Sequence, residues 1–382
     1  MAKLGELGKI ITGNTPKTSD AQNYESNDIC FVKPSDFTDN EITEIHQSEF
    51  YISAYAKDKA RVLPTDSILV TCIGIIGKVA INKVPCAFNQ QINAIVPEKK
   101  VCNPRYIAYA IQNLQPKMQS TANAAVVPIL NKTQFSNLEV PLLPVGEQKQ
   151  IACNLNKIDK LISLRKQQLA KLDELVKARF VEMFGDPVSN PLHWNKVKLS
   201  ELADIKIGPF GSLLHKEDYV TGGHPLVNPS HIINGRIIVD NDLTLTEGKY
   251  FELSAYHLKK NDVVLGRRGE MGRCAVVDEE GLLCGTGSLL IRTNGTVTAD
   301  YIQKIISFPT FRKTIEDMAV GQTMPNLNVP IVSNFMIIVP PLSVQKDYYD
   351  FVECVDQQKQ TVQQSLEKLE LMKKALMQEY FG

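Results

Sequence analysis

The chain repeats itself. Lys3-Leu4-Gly5-Glu6-Leu7 returns as Lys198-Leu199-Ser200-Glu201-Leu202, 195 positions later. The same offset joins Ile10 and Gly13 to Ile205 and Gly208, Val32-Lys33-Pro34-Ser35 to Val227-Asn228-Pro229-Ser230, and Tyr106-Ile107 to Tyr301-Ile302. It also joins Gly74-Ile75-Ile76-Gly77-Lys78 to Gly269-Glu270-Met271-Gly272-Arg273. Two residues are then gained. Leu130-Asn131 matches Leu327-Asn328, Gln148-Lys149 matches Gln345-Lys346, and Lys171-Leu172 matches Lys368-Leu369, all at 197. Chance does not hold register over so many islands. A chain built this way must fold into two copies of one unit.

Each copy has two parts. The first mixes short strand-like runs, such as Ser67-Ile68-Leu69-Val70 and Asp262-Val263-Val264-Leu265, with Gly, Pro and Asn punctuation. It reads as a compact α/β or α+β domain. The second part is a long helix. Ile151, Leu155, Ile158, Ile162, Leu169, Leu172 and Val176 alternate steps of four and three, a heptad stripe interrupted at Arg165 and Arg179. Val352, Val355, Val362, Leu366, Leu369 and Leu376 keep the same beat in the second copy, interrupted at Lys359 and Lys373. Such stripes need a partner helix. Residues 146–183 carry eight basic and five acidic groups, and 343–381 carry five and seven, so opposite charge favours pairing of the two helices within one chain. The alternative is that the helices close a core or build a homodimer.

The expected fold is therefore α/β (α+β): two globular domains, two long antiparallel coiled-coil helices, and an internal pseudo-two-fold repeat. The divisions are 1–145 and 187–342 for the domains, and 146–186 and 343–382 for the helices. Pro144 and Pro341 fit the helix starts, and Gly185 before Asp186-Pro187 fits a stop.

The composition, 43% hydrophobic and 22% charged, is that of a folded soluble domain pair. No apolar run of about 18 residues offers a membrane span. The opening residues lack a secretory pattern, so the expected compartment is the cytoplasm. The eight cysteines form no C-x-x-C pair, and no metal site is expected. Neither a phosphate-binding G-x-x-x-x-G-K-[ST], a nucleophile elbow nor an [ND]-P-P-[FY] methyltransferase signature occurs, and only six histidines are present. A non-enzymatic binding subunit without catalytic residues is expected. The charge balance of 42 basic to 42 acidic groups does not exclude DNA binding and points to local patches or a basic partner for it.

Where the copies differ, the loops between the shared islands carry the difference. A common frame with divergent loops suits two readers of two targets. The contact candidates in copy one are Asn14, Thr15, Lys17, Lys33, Ser35, Lys78, Asn89, Gln90 and Gln91. Those in copy two are Phe210, Ser212, Asn228, Ser230, His231, Arg267, Arg268, Arg273, Gln322, Thr323 and Asn326. Arginine forks suit phosphates and guanine edges, and amides and hydroxyls suit base edges. The bland alternatives are a solvated pair for Arg267-Arg268 and turn hydrogen bonds for Asn89-Gln90-Gln91.

Taken in order, these motifs resemble the specificity subunit of type I restriction-modification systems. The resemblance covers the whole length. It rests on Leu199-Ser200-Glu201-Leu202, Gly269-Glu270-Met271-Gly272-Arg273, Gly321-Gln322-Thr323-Met324-Pro325-Asn326-Leu327, and Pro340-Pro341-Leu342 with Gln345-Lys346; Pro144-Val145-Gly146-Glu147-Gln148-Lys149 repeats the last. Copy one departs from the pattern at Ala124–Asn131. The resemblance implies two target-recognition domains, each reading one half of a split, asymmetric site on double-stranded DNA. It implies a helix pair that sets the gap and docks two modification (methyltransferase) subunits, with restriction/translocase subunits joining them. It places S-adenosylmethionine, ATP and Mg in those partners and no cofactor in this chain. The competing class is a coiled-coil interaction scaffold that reads no DNA.

Overall fold

The computed structural model describes residues 1–122, 127–210, 213–319 and 326–382. Two compact units result, one of Met1–Leu169 with Gln360–Gly382 and one of Ala170–Lys359. This regroups the linear parts. The first long helix spans Val145–Phe184 and the second Leu342–Phe381, and each unit contains a stretch of both.

In the first unit a five-stranded sheet runs in the order Gly8–Thr12, Ile92–Pro97, Ile68–Thr71, Val79–Asn82, Thr43–Ile45. Only its last pair is parallel. Ile68–Thr71 is buried at every position because both faces are covered. Ile68, Val70, Val79, Ile81 and Ile95 pack on Tyr106, Ile107 and Ile111 of the helix Pro104–Asn113. Leu69, Ala80 and Ala94 point the other way, onto Val32 and Phe88 of a smaller sheet ordered Phe50–Ile52, Ile29–Val32, Cys86–Phe88.

The second unit repeats the plan. Ala203–Ile207, Ser288–Thr293, Asp262–Gly266 and Cys274–Val276 form an antiparallel sheet. Val263, Leu265, Leu289 and Ile291 pack on Tyr301, Ile302, Ile305 and Ile306. Val264, Ala275 and Leu290 face Val227 and Cys284 of a second sheet, ordered Tyr219–Val220, Thr244–Leu245, His224–Val227, Leu283–Cys284.

Several repeated islands are buried polar anchors. Gln148 Oε1 accepts from the Asn103 N–H at 2.8 Å, and its Nε2 donates to Val101 and Leu143 carbonyls at 3.0 and 2.7 Å. Gln345 Oε1 accepts from the Thr298 N–H at 3.0 Å and its Nε2 donates to the Pro340 carbonyl at 2.9 Å. Both glutamines are fully buried, so each long helix is fastened by its first turn to its own domain. Tyr106 and Tyr301 likewise donate to the Pro141 and Ile338 carbonyls, at 3.1 and 3.0 Å. Burial pushes both phenols up.

The helix stripes bury as their spacing requires. Ile151 and Leu155 enter the first unit's core, and Ile158, Ile162, Leu169, Leu366, Leu369 and Leu376 pack against one another there; Val362 is buried too. In the second unit Val176 and Val352 join Phe180, Phe184 and Tyr348, and Leu172 and Val355 are buried. The lysines that interrupt the second stripe are ion-paired across the seam. Lys373 meets Asp159 at 2.7 Å in the first unit, and Lys359 meets Asp173 at 2.6 Å in the second. Within the first unit, Lys166–Glu370 at 3.6 Å shows the antiparallel sense: seven residues up one helix is three down the other. Asp159 also accepts from the Tyr109 hydroxyl at 2.6 Å. The first helix ends at Gly185 with φ +74°, a value glycine adopts freely.

Candidate functional site

In each unit several loops converge at the strand ends, held by the same backbone bonds. The Gly13 N–H donates to the Ile92 carbonyl and the Gly208 N–H to that of Ser288, both at 3.0 Å. The Cys72 N–H reaches Gln91 O at 2.7 Å, and the Arg267 N–H reaches Gly287 O at 2.9 Å. The Leu130 and Leu327 N–H groups donate to the Cys72 and Arg267 carbonyls, both at 2.9 Å. The Asn89 N–H bonds Val32 O at 3.1 Å, and the Gly285 N–H bonds Val227 O at 3.0 Å. Glycine is required at the first junction because a Cβ would stand 2.0 Å from the carbonyl oxygen of Asn89 or of Gly285. The Gly74-x-x-Gly77 and Gly269-x-x-Gly272 turns link two strands through positive φ values of +76° and +91°, and +81° and +74°.

Onto this frame the first unit sets polar side chains that largely bond one another. Asn14 Nδ2 donates to Lys59 O at 2.8 Å, and its Oδ1 accepts from the Arg61 N–H at 2.9 Å. The Thr15 hydroxyl donates to Gln90 Oε1 at 2.8 Å on the exposed side. Asn89 is buried and donates to Gln91 Oε1 at 2.8 Å, which is the turn bonding that a loop of this composition favours. Lys78 is bound to Asp39 at 2.7 Å and is 14% exposed, so it belongs to the frame. Ser35 donates to Glu49 at 3.4 Å. The Lys33 ammonium sits 3.1 Å from the centroid of the Phe50 ring. Lys17 is exposed, and its ammonium forms no ion pair among the described residues. The surface candidates in this unit thus reduce to the exposed Thr15, Lys17, Ser35 and Gln90 and the half-buried Lys33.

Four neighbours escaped the sequence reading. Lys59 pairs with Asp20 at 2.8 Å and lies 3.6 Å over the Tyr55 ring, and Arg61 donates to the Thr12 carbonyl. The Asp20 hydrogen bond raises the Lys59 ammonium pKa. A signal existed: Ser53-Ala54-Tyr55 repeats as Ser254-Ala255-Tyr256, both opening a short 3-10 turn. The offset there is 201, because copy one has eight positions from Tyr55 to Leu63 where copy two has two from Tyr256 to Leu258. A comparison held at 195 passes over it.

In the second unit the three arginines separate. Arg267 donates through Nε to Leu327 O at 3.0 Å and through its guanidinium to Thr286 O at 3.4 Å. Burial, then the charge of Arg268, lowers its pKa. Arg273 binds Glu270 at 2.8 Å and Pro229 O at 3.1 Å. Arg268 is exposed and has no hydrogen bond or ion pair among the described residues. His231 is buried, with Nδ1 at 2.8 Å from Leu226 O, and the Asn228 side-chain carbonyl accepts from the Gly287 N–H at 3.5 Å. Ser230 is exposed, and Phe210 is 57% exposed. Asn326 has a buried side-chain carbonyl with no partner among the described residues. Ser212, Gln322 and Thr323 lie outside the described residues.

Burial pushes the thiols of Cys274 and Cys284 up to about 12, so they stay protonated near neutral pH. Both strand-end faces expose hydrogen-bonding and cationic side chains among the described residues. The model of the type I restriction modification DNA specificity domain matches residues 1–174 and again 191–371. The chain belongs to that family. It carries the family's domain twice, the organisation of a type I specificity subunit. The MjaIX specificity subunit of Methanocaldococcus jannaschii is 24% identical over 374 residues, covering 92% of this chain and 85% of that one. The EcoKI specificity subunit of Escherichia coli is 20% identical over 377 residues, covering 92% and 81%. The solved S subunit of a type I system from M. genitalium superposes with a TM-score of 0.60 at 14% identity, covering 100% of this chain and 95% of that one. A chain from a structure of type I complex assembly gives 0.63 at 16% identity, covering 99% and 96%. At such identities these structures establish the fold.

Proposed function

We propose that this specificity subunit reads a two-part DNA sequence, one half with each domain, and performs no chemistry itself. The observation that carries the proposal is the strand-end frame: matched backbone bonds in both units, with different side chains mounted on them. A shared frame presents each loop set at the same place, and the divergent side chains give each face its own target. The first face offers Thr15, Lys17, Lys33, Ser35 and Gln90; the second offers Arg268, Ser230 and Phe210. Lysines serve phosphates as point charges, whereas a free arginine fork can bond a guanine edge twice.

On this reading the paired helices dock two methyltransferase subunits and set the gap between the half-sites, and restriction/translocase subunits join them. S-adenosylmethionine, ATP and Mg belong to those partners. The neutral charge of the chain agrees with partners that supply much of the DNA clamp. The complex would work in the cytoplasm, and among the described residues no helix is long and apolar enough to cross a membrane. Footprinting of the assembled complex should protect two separated base clusters. Exchange of residues 1–145 for those of another family member should change one cluster and leave the other. A single continuous footprint, or a change in both halves, would overturn the proposal.

A further inference from the structure

The two faces differ at one tip. In the second unit the residue after Arg267 is Arg268, which has no partner among the described residues. In the first unit the equivalent bonds of Cys72 put Ile73 in its place. Ile73 forms a bridge with Ile129, and the Gly74 N–H donates to the Pro128 carbonyl at 3.0 Å. These contacts join two loops into a single tip that exposes Ile75 by 56%, Val127 by 48% and Ile129 by 44%. Scattered exposed aliphatics are ordinary, but three on one bridged tip mark a contact surface. The tip is not unfinished core, since Ile76 beside it turns inward and is 3% exposed.

Residues 73–76 and 127–130 contain only Ile, Gly, Val, Pro and Leu. No side chain there can bond a phosphate or a base donor or acceptor. The tip is nevertheless fixed to the polar face, because Cys72 bonds Gln91 and Gln90 holds Thr15. The one apolar feature on a base edge in the major groove is the thymine 5-methyl group. We infer that the Ile75–Ile129 tip recognises a thymine methyl in the half-site read by the first domain, beside Ile73, which stands where the second domain has Arg268. This rests on the DNA-reading proposal and names what one of its faces reads.

Replacing thymine by deoxyuridine removes that methyl and leaves the pairing intact. The full chain, assembled with its modification subunits, would be titrated with duplexes carrying one uracil at a time across both half-sites, assigned by the exchange of residues 1–145. In the first-domain half, one or two uracils should weaken binding roughly three- to fivefold each, the scale of one buried methyl. Ile75→Ala and Ile129→Ala should weaken the thymine duplex by a similar factor and remove the uracil penalty, and Ile75→Leu should keep it. Uracils in the other half should behave alike in all these variants. Indifference to uracil throughout the first-domain half, or a penalty that persists in both alanine variants, would overturn the inference. Alanine variants that bind DNA normally but lose the modification subunits would assign the tip to protein docking and overturn it too. A wild-type complex with no two-part sequence preference would overturn the functional proposal, whereas a specific complex indifferent to uracil overturns this inference alone.

Discussion

The two strand-end faces have one backbone and two chemistries. The first is densely self-bonded: Asn14 to Lys59 and Arg61, Thr15 to Gln90, Asn89 to Gln91, with an aliphatic tip beside them. The second fastens two arginines to backbone carbonyls and leaves a third without a partner among the described residues. The difference teaches that a frame can keep its geometry when what fixes it is main chain. The bonds that tie the loops to the strand ends in both faces, at Gly13/Gly208, Cys72/Arg267, Leu130/Leu327 and Asn89/Gly285, run between backbone groups, so the side chains above them are at liberty to diverge.

The sharpest way to break the comparison is to break the shared element. Gly13→Ala and Gly208→Ala each drive a methyl against a carbonyl oxygen, 2.0 Å away in both units. Each should cost about 3 kcal/mol, near the top of the range for overfilling a packed site, read from denaturant melts of the full chain. Each should also abolish discrimination in its own half-site only. Equal loss in both halves would show that the faces are not independent.

A smaller effect tests the difference itself. Arg268→Ala should weaken specific binding by roughly 1–3 kcal/mol and relax one base position in the second half-site. An Ile73→Ala variant, at the matching place, should leave the second half-site untouched. Unchanged binding by Arg268→Ala, measured at fixed salt, would return that residue to the solvated surface.

The smallest effect is a pH dependence confined to one turn. Hydrogen bonds from Arg273 and Arg312 hold the Glu270 carboxyl below the usual glutamate range. A depressed folded pKa gives stability that is present above the unfolded value and lost as pH falls through the folded one. Amide exchange over 269–273 should therefore quicken relative to the intrinsic rate on acidification below the glutamate range. Residues 74–78 have Ile75 where Glu270 stands and should show no such change.

Much of the frame was legible because buried polar anchors repeat as words. Gln148 and Gln345, or Tyr106 and Tyr301, recur because each satisfies a specific backbone group in a dry place. The heptad stripes were legible for the same reason of burial. The fate of the loop polars was not. Lys78 finds Asp39, and Asn14 finds Lys59, through partners brought near by strand order rather than by sequence spacing. The two lysines that break the second stripe looked like gaps in packing, yet they meet Asp159 and Asp173 across the seam.

One detail of the first unit bears on how the chain is made. Asn113 donates to the carbonyl of Phe381, 268 residues away, and the Phe381 ring lies against Tyr106 at 5.1 Å. The early domain thus emerges from the ribosome long before the helix end that covers part of its core. During that interval the exposed apolar surface must wait, chaperoned or transiently covered, and its final closure is delayed until residues 360–382 arrive. Fast local folding of the first domain and slow completion of the first unit should be separable phases of synthesis.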